Sequence, residues 1–411
     1  MTPTRERIAS DPAVLAVAAA VFADSLLYSA VVPVLPGYAD ALGASPISIG
    51  VLFASYAVAL MVVTPAVGAV SDRAGYRAPL VGGLLAVTGA TVLFALASSY
   101  PWLLVARSLQ GAAAAIVWSA GLALVADRVA PARAGASMGL VLSGMSAGLL
   151  LGPPAAGVLA DAYGFRAPFL IVAALTAGVA LLQLRLPRGI PLSTAPTPLG
   201  VLVRTGAFNR TMVAVAAAAA GLSLLEALLP LDLVHRFGAT STTIGLVFGA
   251  ATLAHLLVSP AVGWFADRRP RLPLMAGGLV GMGAVIVFAG TAPTPAAVAL
   301  VLVAVAVAYS FVLVPALPEI ASVVHTTGSR GYAMAYGAFN IAYALGMVLG
   351  PTAGSAATAW RALPTVLIGT GLLLAVTGLL LQARLRRGLA DAMSCCLRPG
   401  AEPRRQHHPT H

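Results

Sequence analysis

The sequence predicts an all-α membrane protein of twelve transmembrane helices arranged as two pseudo-symmetric six-helix bundles. Its composition, the spacing of its apolar windows and a repeat of one half in the other predict this. Of 411 residues, 59% are hydrophobic and only 9% charged, with a mean hydropathy of +0.94. A soluble domain is about one-quarter charged, so this chain has too little polar surface for water and its solvent must be lipid. A spanning helix takes about 20 apolar residues, and the length accommodates a dozen.

Apolar windows run from Ala13 to Gly37, Ile49 to Val70, Ala78 to Ala97, Pro101 to Val125, Ala136 to Leu159 and Ala167 to Leu186. After a polar, Pro-rich stretch, six more follow: Thr211 to Leu231, Thr243 to Phe265, Leu272 to Gly290, Pro295 to Val324, Tyr332 to Ala357 and Ala362 to Leu381. The organisation is a terminal segment 1–12, a bundle 13–186, a linker 187–209, a bundle 210–382 and a tail 383–411 expected to be disordered. Arg5 and Arg7 ahead of the first window imitate a secretory signal, but that window runs on without a small-residue cleavage site and is read as the first span.

The formal charge is +11, and all 24 basic residues are Arg. They sit in short runs between windows, with no basic face interleaved with aromatics, so nucleic acid is not an expected partner. If the chain starts on the inner side, the outer loops keep only Arg166, Arg236 and Arg361. Basic residues gather on the cytoplasmic side of membrane proteins, which supports an even number of spans with both termini cytoplasmic. The Ala, Gly and Arg richness without Lys suggests a GC-rich bacterial genome, and with the predicted spans a multi-pass protein of the bacterial inner membrane. The two cysteines, Cys395 and Cys396, are adjacent in the tail and support neither a disulfide framework nor a metal site. No cofactor or metal is expected, and no nucleophile–base set suggests an enzyme.

The halves repeat. TPAVGAVSDR from Thr64 to Arg73 recurs as SPAVGWFADR from Ser259 to Arg268, and IGVLF from Ile49 returns as IGLVF from Ile244. Gly152, Pro153 and Gly157 are echoed by Gly350, Pro351 and Gly354. Parallel repeats of this kind place a substrate site near mid-membrane between the halves.

These segments carry a resemblance. The run from Gly68 through Asp72, Arg73 and Gly75 to Arg77 resembles the loop motif between spans two and three of the major facilitator superfamily. The segment Arg107 to Gly111 resembles its fourth-span motif. Gly144, Gly148, Gly152, Pro153 and Gly157 match the fifth-span pattern of its drug:proton antiporters. Further segments at Phe53, Ala106 to Gly111, Gly152 to Pro154 and Ala167 to Leu170 are similar to the vesicular monoamine transporters and their bacterial multidrug-efflux relatives. The resemblance implies the major facilitator fold and proton-driven export of a small organic molecule, with Asp24 and Glu226 matching acids that serve cation and proton. It departs at Tyr56, where those transporters have a lysine, and at Ser310 and Asn340, where they have acids. Proton-coupled uptake of a metabolite on the same fold remains the other reading.

Ionisable groups inside spans carry a penalty of roughly 2.5–3.5 kcal/mol at a helix centre and usually face a cavity or a partner. Asp24, mid-span, is read as the proton carrier, against a structural acid paired with a hydroxyl such as that of Tyr56. Glu226, one turn before Pro230, is read as the cation site, with a second proton site as its rival. Arg107 either faces the cavity, ahead of Gln110 and Trp118 on one stripe, or bonds backbone carbonyls. His255 is either a titrating wall residue or a packing histidine. Tyr336, Asn340, Tyr343 and Met347 form a stripe read as a cavity wall, where rings and sulfur suit flat cations. Gly144, Gly148 and Gly152 present a side-chain-free ridge for a neighbouring helix, with Pro153 and Pro351 as hinge points. Asp72 and Asp267, with Arg73, Arg77 and Arg268, are read as gate elements near the N-termini of the following helices. The expected partners are a small-molecule substrate, protons and the lipid bilayer, and the protein is expected to act as a monomer.

Overall fold

Long runs of Ala, Val and Leu in lipid leave the backbone no water to bond, so each run closes its own hydrogen bonds as a helix. A computed structural model of the protein describes residues 12–74, 77–128, 131–184, 199–326, 332–358 and 361–396. Its helices are α1 (Pro12–Ala41), α2 (Pro46–Ala74), α3 (Arg77–Leu96), α4 (Tyr100–Arg128), α5 (Pro131–Tyr163) and α6 (Ala167–Gln183). After a single turn, Leu199–Val203, come α7 (Gly206–Phe237), α8 (Ser241–Ala266), α9 (Arg271–Ile286), α10 (Pro295–Thr326), α11 (Tyr332–Thr358) and α12 (Leu363–Cys396). Among the described residues, nine helices carry a long apolar window, and α6 and α9 are shorter apolar helices. The remaining helix, α11, is diluted by Asn340, Tyr343, Thr352, Ser355 and its glycines.

One boundary differs from expectation. The last helix continues to Cys396, where a disordered tail was expected from residue 383. The continuation is rich in Ala, Leu and Arg, which are strong helix formers, and polarity alone does not end a helix. The segments 1–11 and 397–411 and most of the linker lie outside the described residues.

The two halves pack alike. The helix pair α1 and α5 is matched by α7 and α11; α4 lies against α2 and α3 as α10 lies against α8 and α9; α6 covers α3 as α12 covers α9. Glycine sets the closest approaches. A Cβ on Gly144, Gly148 or Gly152 would strike the α1 backbone at Ala18, Phe22 or Leu26. Gly346 and Gly350 meet the α7 backbone at Ala216 and Ala220, and Gly354 meets the Leu224 side chain. Small residues allow backbones to approach so closely.

Between the halves, α5 meets α8 and α2 meets α11. These helices touch at the end of the bundle away from the linker, where α2 and α8 begin and α5 and α11 finish. Gly50 lies against the Pro351 carbonyl and the Ser355 side chain, and Gly245 against the Pro153 carbonyl and Pro154. Each repeated Ile-Gly segment thus meets the Gly-Pro segment of the opposite half. Gly157, read from sequence with the fifth-span ridge, faces Ser241 and Thr242 of the other half instead.

Asp161 closes the same junction. Its carboxylate accepts the backbone N–H groups of Ser241 at 3.2 Å and Thr242 at 2.8 Å. Thr240 caps Thr243 from within the helix at 3.2 Å. The first N–H groups of α8 therefore have no intrahelical partner to lose, and two of them are held by the other half. Towards the linker, Gly139 in α5 and Gly337 in α11 have open space where a Cβ would stand. Asp161→Ala is expected to weaken the sealed state by about 1 kcal/mol, the usual worth of a cap, or about fivefold in population. Electron spin distances between labels at Tyr163 and Thr291, with Cys395 and Cys396 replaced, should show the longer-distance population rising in Asp161→Ala. An unchanged distribution would remove the latch role.

Candidate functional site

Among the described residues of the N-terminal half, the buried charged side chains are Asp24 and Arg107. Asp24 in α1 is 2% exposed, and the indole Nε1 of Trp118 in α4 donates to its Oδ2 at 2.9 Å. Tyr56, the hydroxyl offered to Asp24 in the rival structural reading, does something else. Its ring lies under the guanidinium of Arg107, 4.5 Å from centroid to Cζ, with the Tyr28 ring at 5.4 Å. Arg107 is wholly buried. Its Nη1 donates to Gln110 Oε1 at 3.1 Å, while Nε and Nη2 have no hydrogen-bond partner. A buried cation over an aromatic face gains about 2 kcal/mol, short of what desolvating a guanidinium costs. Longer-range attraction to the carboxylates of Asp24 and Glu226 offsets part of that cost.

Glu226 stands across the junction on α7. Tyr28, one turn after Asp24 on α1, donates its hydroxyl to Glu226 Oε2 at 2.9 Å. On the side away from the linker, Val32, Leu35, Ile49, Ala227 and Pro230 close around Glu226 and leave a crevice too narrow for water. Met347 of α11 packs with Tyr56, Ala57 and Ala114 of the opposite half. Tyr309 of α10 donates to the Tyr343 hydroxyl at 3.1 Å, and Tyr343 stacks on Phe339.

His255 lies in α8 with Nδ1 2.7 Å from Ser310 Oγ, and Ser310 Oγ donates to the Ala306 carbonyl at 2.9 Å. With the hydroxyl hydrogen so committed, Nδ1 is the donor and the neutral imidazole keeps its lone pair on Nε2. The Tyr309 ring is 5.6 Å from the imidazole. Asn340 lies in α11, half-buried.

The structure thus brings Asp24, Arg107, Tyr56, Glu226, Tyr343 and Met347 to one region where the halves meet, with His255 in the adjoining wall. It does not bring the gate residues there. Arg77 donates to the carbonyls of Gln183 and Leu184, tying the start of α3 to the end of α6. Asp267 is the exposed C-terminal cap residue of α8, three residues before Pro270, the N-cap of α9. Arg268 stacks on Trp264 at 4.0 Å. Gly75 lies outside the described residues, as do the side chains of Asp72, Arg73 and Tyr336. Sequence reasoning missed Tyr28, although its position four residues after Asp24 puts it on the same face. It also missed Tyr309, hidden in an apolar run, and the cross-half reach of Asp161, which no local pattern signals.

Twelve spanning helices in two matched halves, meeting at a cluster of one buried carboxylate, one half-buried carboxylate and one buried guanidinium, define a membrane transporter. The Major Facilitator Superfamily profile matches residues 17–209 and 211–392. The chain belongs to the Major Facilitator Superfamily, a family of transporters rather than enzymes. It is 28% identical over 314 residues to the synaptic vesicular amine transporter of Mus musculus, covering 75% of this chain and 61% of that one. It is 31% identical over 318 residues to the vesicular acetylcholine transporter of Homo sapiens, covering 74% and 59%. The chain therefore spans about three-fifths of the length of these relatives. Its fold matches the inward-facing, unoccupied crystal structure of a bacterial homolog of the human lysosomal transporter Spinster, with a TM-score of 0.77 at 16% identity, covering 95% of this chain and 99% of that one.

These matches correct the expected location. The curated relatives are animal transporters named for vesicles, which overturns the assignment to a bacterial inner membrane. Compositional bias in Arg over Lys reports codon usage more than a compartment, so it was a poor guide. The multi-pass membrane character stands.

Proposed function

We propose that the chain is a secondary active transporter that exchanges protons for small organic compounds, cationic and aromatic ones included, and exports them by alternating access. The observation that carries this reading is the hydrogen bond from Tyr28 to Glu226, which joins the acid of one half to the acid-bearing helix of the other. Asp24 serves as the proton carrier and Glu226 as the cation site. The rings of Tyr309 and Tyr343 supply a flat, polarisable wall beside Glu226.

In this scheme the state described above is loaded from the linker end. A cation at Glu226 competes with the Tyr28 hydroxyl for the carboxylate and loosens the bond that joins the halves. The junctions at Gly50 and Gly245 and the Asp161 latch then part, and the far end opens. A proton reaching Asp24 from that side resets the site. The whole cycle uses rigid halves and a fixed site, as parallel-repeat transporters do.

Reconstitution of the purified chain in liposomes tests the reading. A pH gradient should drive fixed-charge aromatic cations such as 1-methyl-4-phenylpyridinium against their own gradient and in the direction opposite to proton flow. Movement of the cation together with protons would replace exchange by symport.

A further inference from the structure

We infer that the site takes zwitterions, with Arg107 holding a carboxylate of the cargo while Glu226 holds its ammonium group. The inference rests on the exchange reading above and names a substrate class for that site.

A guanidinium carries its N–H donors in a fixed planar fork. In Arg107, Nη1 is engaged, donating to Gln110 Oε1 at 3.1 Å. Nε and Nη2 are buried and have no hydrogen-bond partner among the described residues. These two nitrogens form one edge of the plane, with N–H bonds side by side. That edge receives both oxygens of a carboxylate as a bidentate pair. No carboxylate of the described residues fills it: their ion pairs are Arg236 with Asp232 and Arg271 with Glu319. Asp24 accepts from Trp118, and Glu226 from Tyr28. Buried donors left unpaired are destabilising and uncommon. A wholly buried guanidinium held with this edge open calls for a ligand that completes it.

The surroundings hold the fork still. Gln110 donates from its amide to Thr91 Oγ1 at 3.4 Å, and Thr91 donates to the Val87 carbonyl at 2.6 Å. A Cβ on Gly111 would strike the Tyr56 carbonyl, so α4 meets the α2 backbone there. The Tyr56 ring, 4.5 Å from Arg107 Cζ, is fixed by that contact.

Tyr28 is placed differently. It is half-buried, its ring lies 5.4 Å from Arg107 Cζ, and its hydroxyl is held by Glu226. It covers the guanidinium with its face and the carboxylate with its tip. A cargo ammonium that takes Glu226 releases the tip, and the ring then turns aside and uncovers Arg107. Recognition runs in that order, ammonium first and carboxylate second. Tyr28 also gauges the cargo. Its own ring separates the two contacts, so the two charges of the cargo belong on opposite sides of an aromatic ring or a chain of similar length.

The experiment uses the purified full chain and two probes of nearly the same shape. 4-(Aminomethyl)benzoate is a zwitterion, and its methyl ester is a cation with no carboxylate. Equilibrium binding is measured near neutral pH, and pH-gradient-driven uptake of both probes is followed in proteoliposomes. The zwitterion should bind at least about tenfold more tightly than the ester. Arg107→Lys keeps the charge but not the fork, and should bring the two affinities within about twofold of each other. Binding should also shift the carboxylate stretch of an isotopically carboxyl-labelled zwitterion in difference infrared spectra, a readout that needs no variant and so decides the matter if Arg107→Lys does not fold. Equal binding of the two probes by the wild-type chain, a preference that survives Arg107→Lys, or an unshifted carboxylate band overturns the inference and leaves proton exchange intact. Failure of the pH gradient to drive either probe overturns the exchange reading instead.

Discussion

Asp24→Asn is expected to reduce proton-driven accumulation to the level of empty liposomes. The substitution keeps the side-chain shape, and the amide oxygen can still accept from the Trp118 indole at the 2.9 Å contact that Asp24 makes. Packing around a residue 2% exposed is therefore preserved, and thermal unfolding in detergent should shift by only a few degrees, a change of about 1 kcal/mol. What is lost is the ability to release a proton on one side and take one up on the other. Asparagine imitates the permanently protonated acid, so the carrier can no longer convert a pH gradient into work. Substrate-for-substrate counterflow needs no proton step and should persist where binding persists. Accumulation at the wild-type level by a folded Asp24→Asn protein would move proton coupling to Glu226 or His255.

Much of the architecture could be read from the chain because lipid imposes a simple rule. Apolar windows of spanning length must be helices, and the repeated segments at Thr64 and Ser259 place six in each half. Depth was also legible: Asp24, Arg107 and Glu226 stand out because few other charges interrupt the windows. Pairing was not legible. From sequence, Tyr56 was the example hydroxyl in the rival, structural reading of Asp24, yet Trp118 donates to the acid and Tyr56 lies under Arg107. Helical period tells which residues share a face, but not which helix that face meets. The same gap hid the role of Gly157, which follows the ridge of Gly144, Gly148 and Gly152 in sequence but turns to Ser241 of the other half. The end of α12 escaped for a different reason: an arginine-rich tail looks like a soluble coil, while its Ala and Leu content favours continued helix.

The duplication also explains why the sealed end is built twice. Gly50 against Pro351 and Gly245 against Pro153 are the same contact in the two copies of one repeat. A side chain larger than hydrogen at either glycine would press on backbone, which has little room to yield. Because the two junctions flank the Tyr28–Glu226 bond, separation of the halves at this end cannot occur without disturbing that bond.

Glu226→Gln is expected to separate charged from uncharged substrates more sharply than any other single change. Glutamine retains the length of the side chain and an oxygen to accept from Tyr28, so the bridge between α1 and α7 survives in neutral form. A cation arriving there meets a dipole where it met a carboxylate. Removing one partner of a buried charge pair costs about 3–5 kcal/mol, against about 0.2–1 kcal/mol for an exposed pair. Since Glu226 is half-buried, a penalty of about 2–4 kcal/mol is expected, roughly 30- to 1000-fold in affinity for a fixed-charge cation. A neutral analogue of the same shape should lose little. Tyr28→Phe provides the contrast: it removes a hydrogen bond to a charged group, worth about 1.5–3 kcal/mol at most, but leaves the charge. Tyr28→Phe should thus keep the preference for cations over neutral ligands, tightening cation binding where the hydroxyl no longer competes for the carboxylate, and chiefly change the rate at which the halves part. Equilibrium binding of 1-methyl-4-phenylpyridinium and of neutral 4-phenylpyridine, measured above the pKa of the latter, compares the three proteins directly. Equal losses for both ligands in Glu226→Gln would show that the carboxylate holds the helices together rather than the cation, and would move the cation site elsewhere on the aromatic wall of Tyr309 and Tyr343.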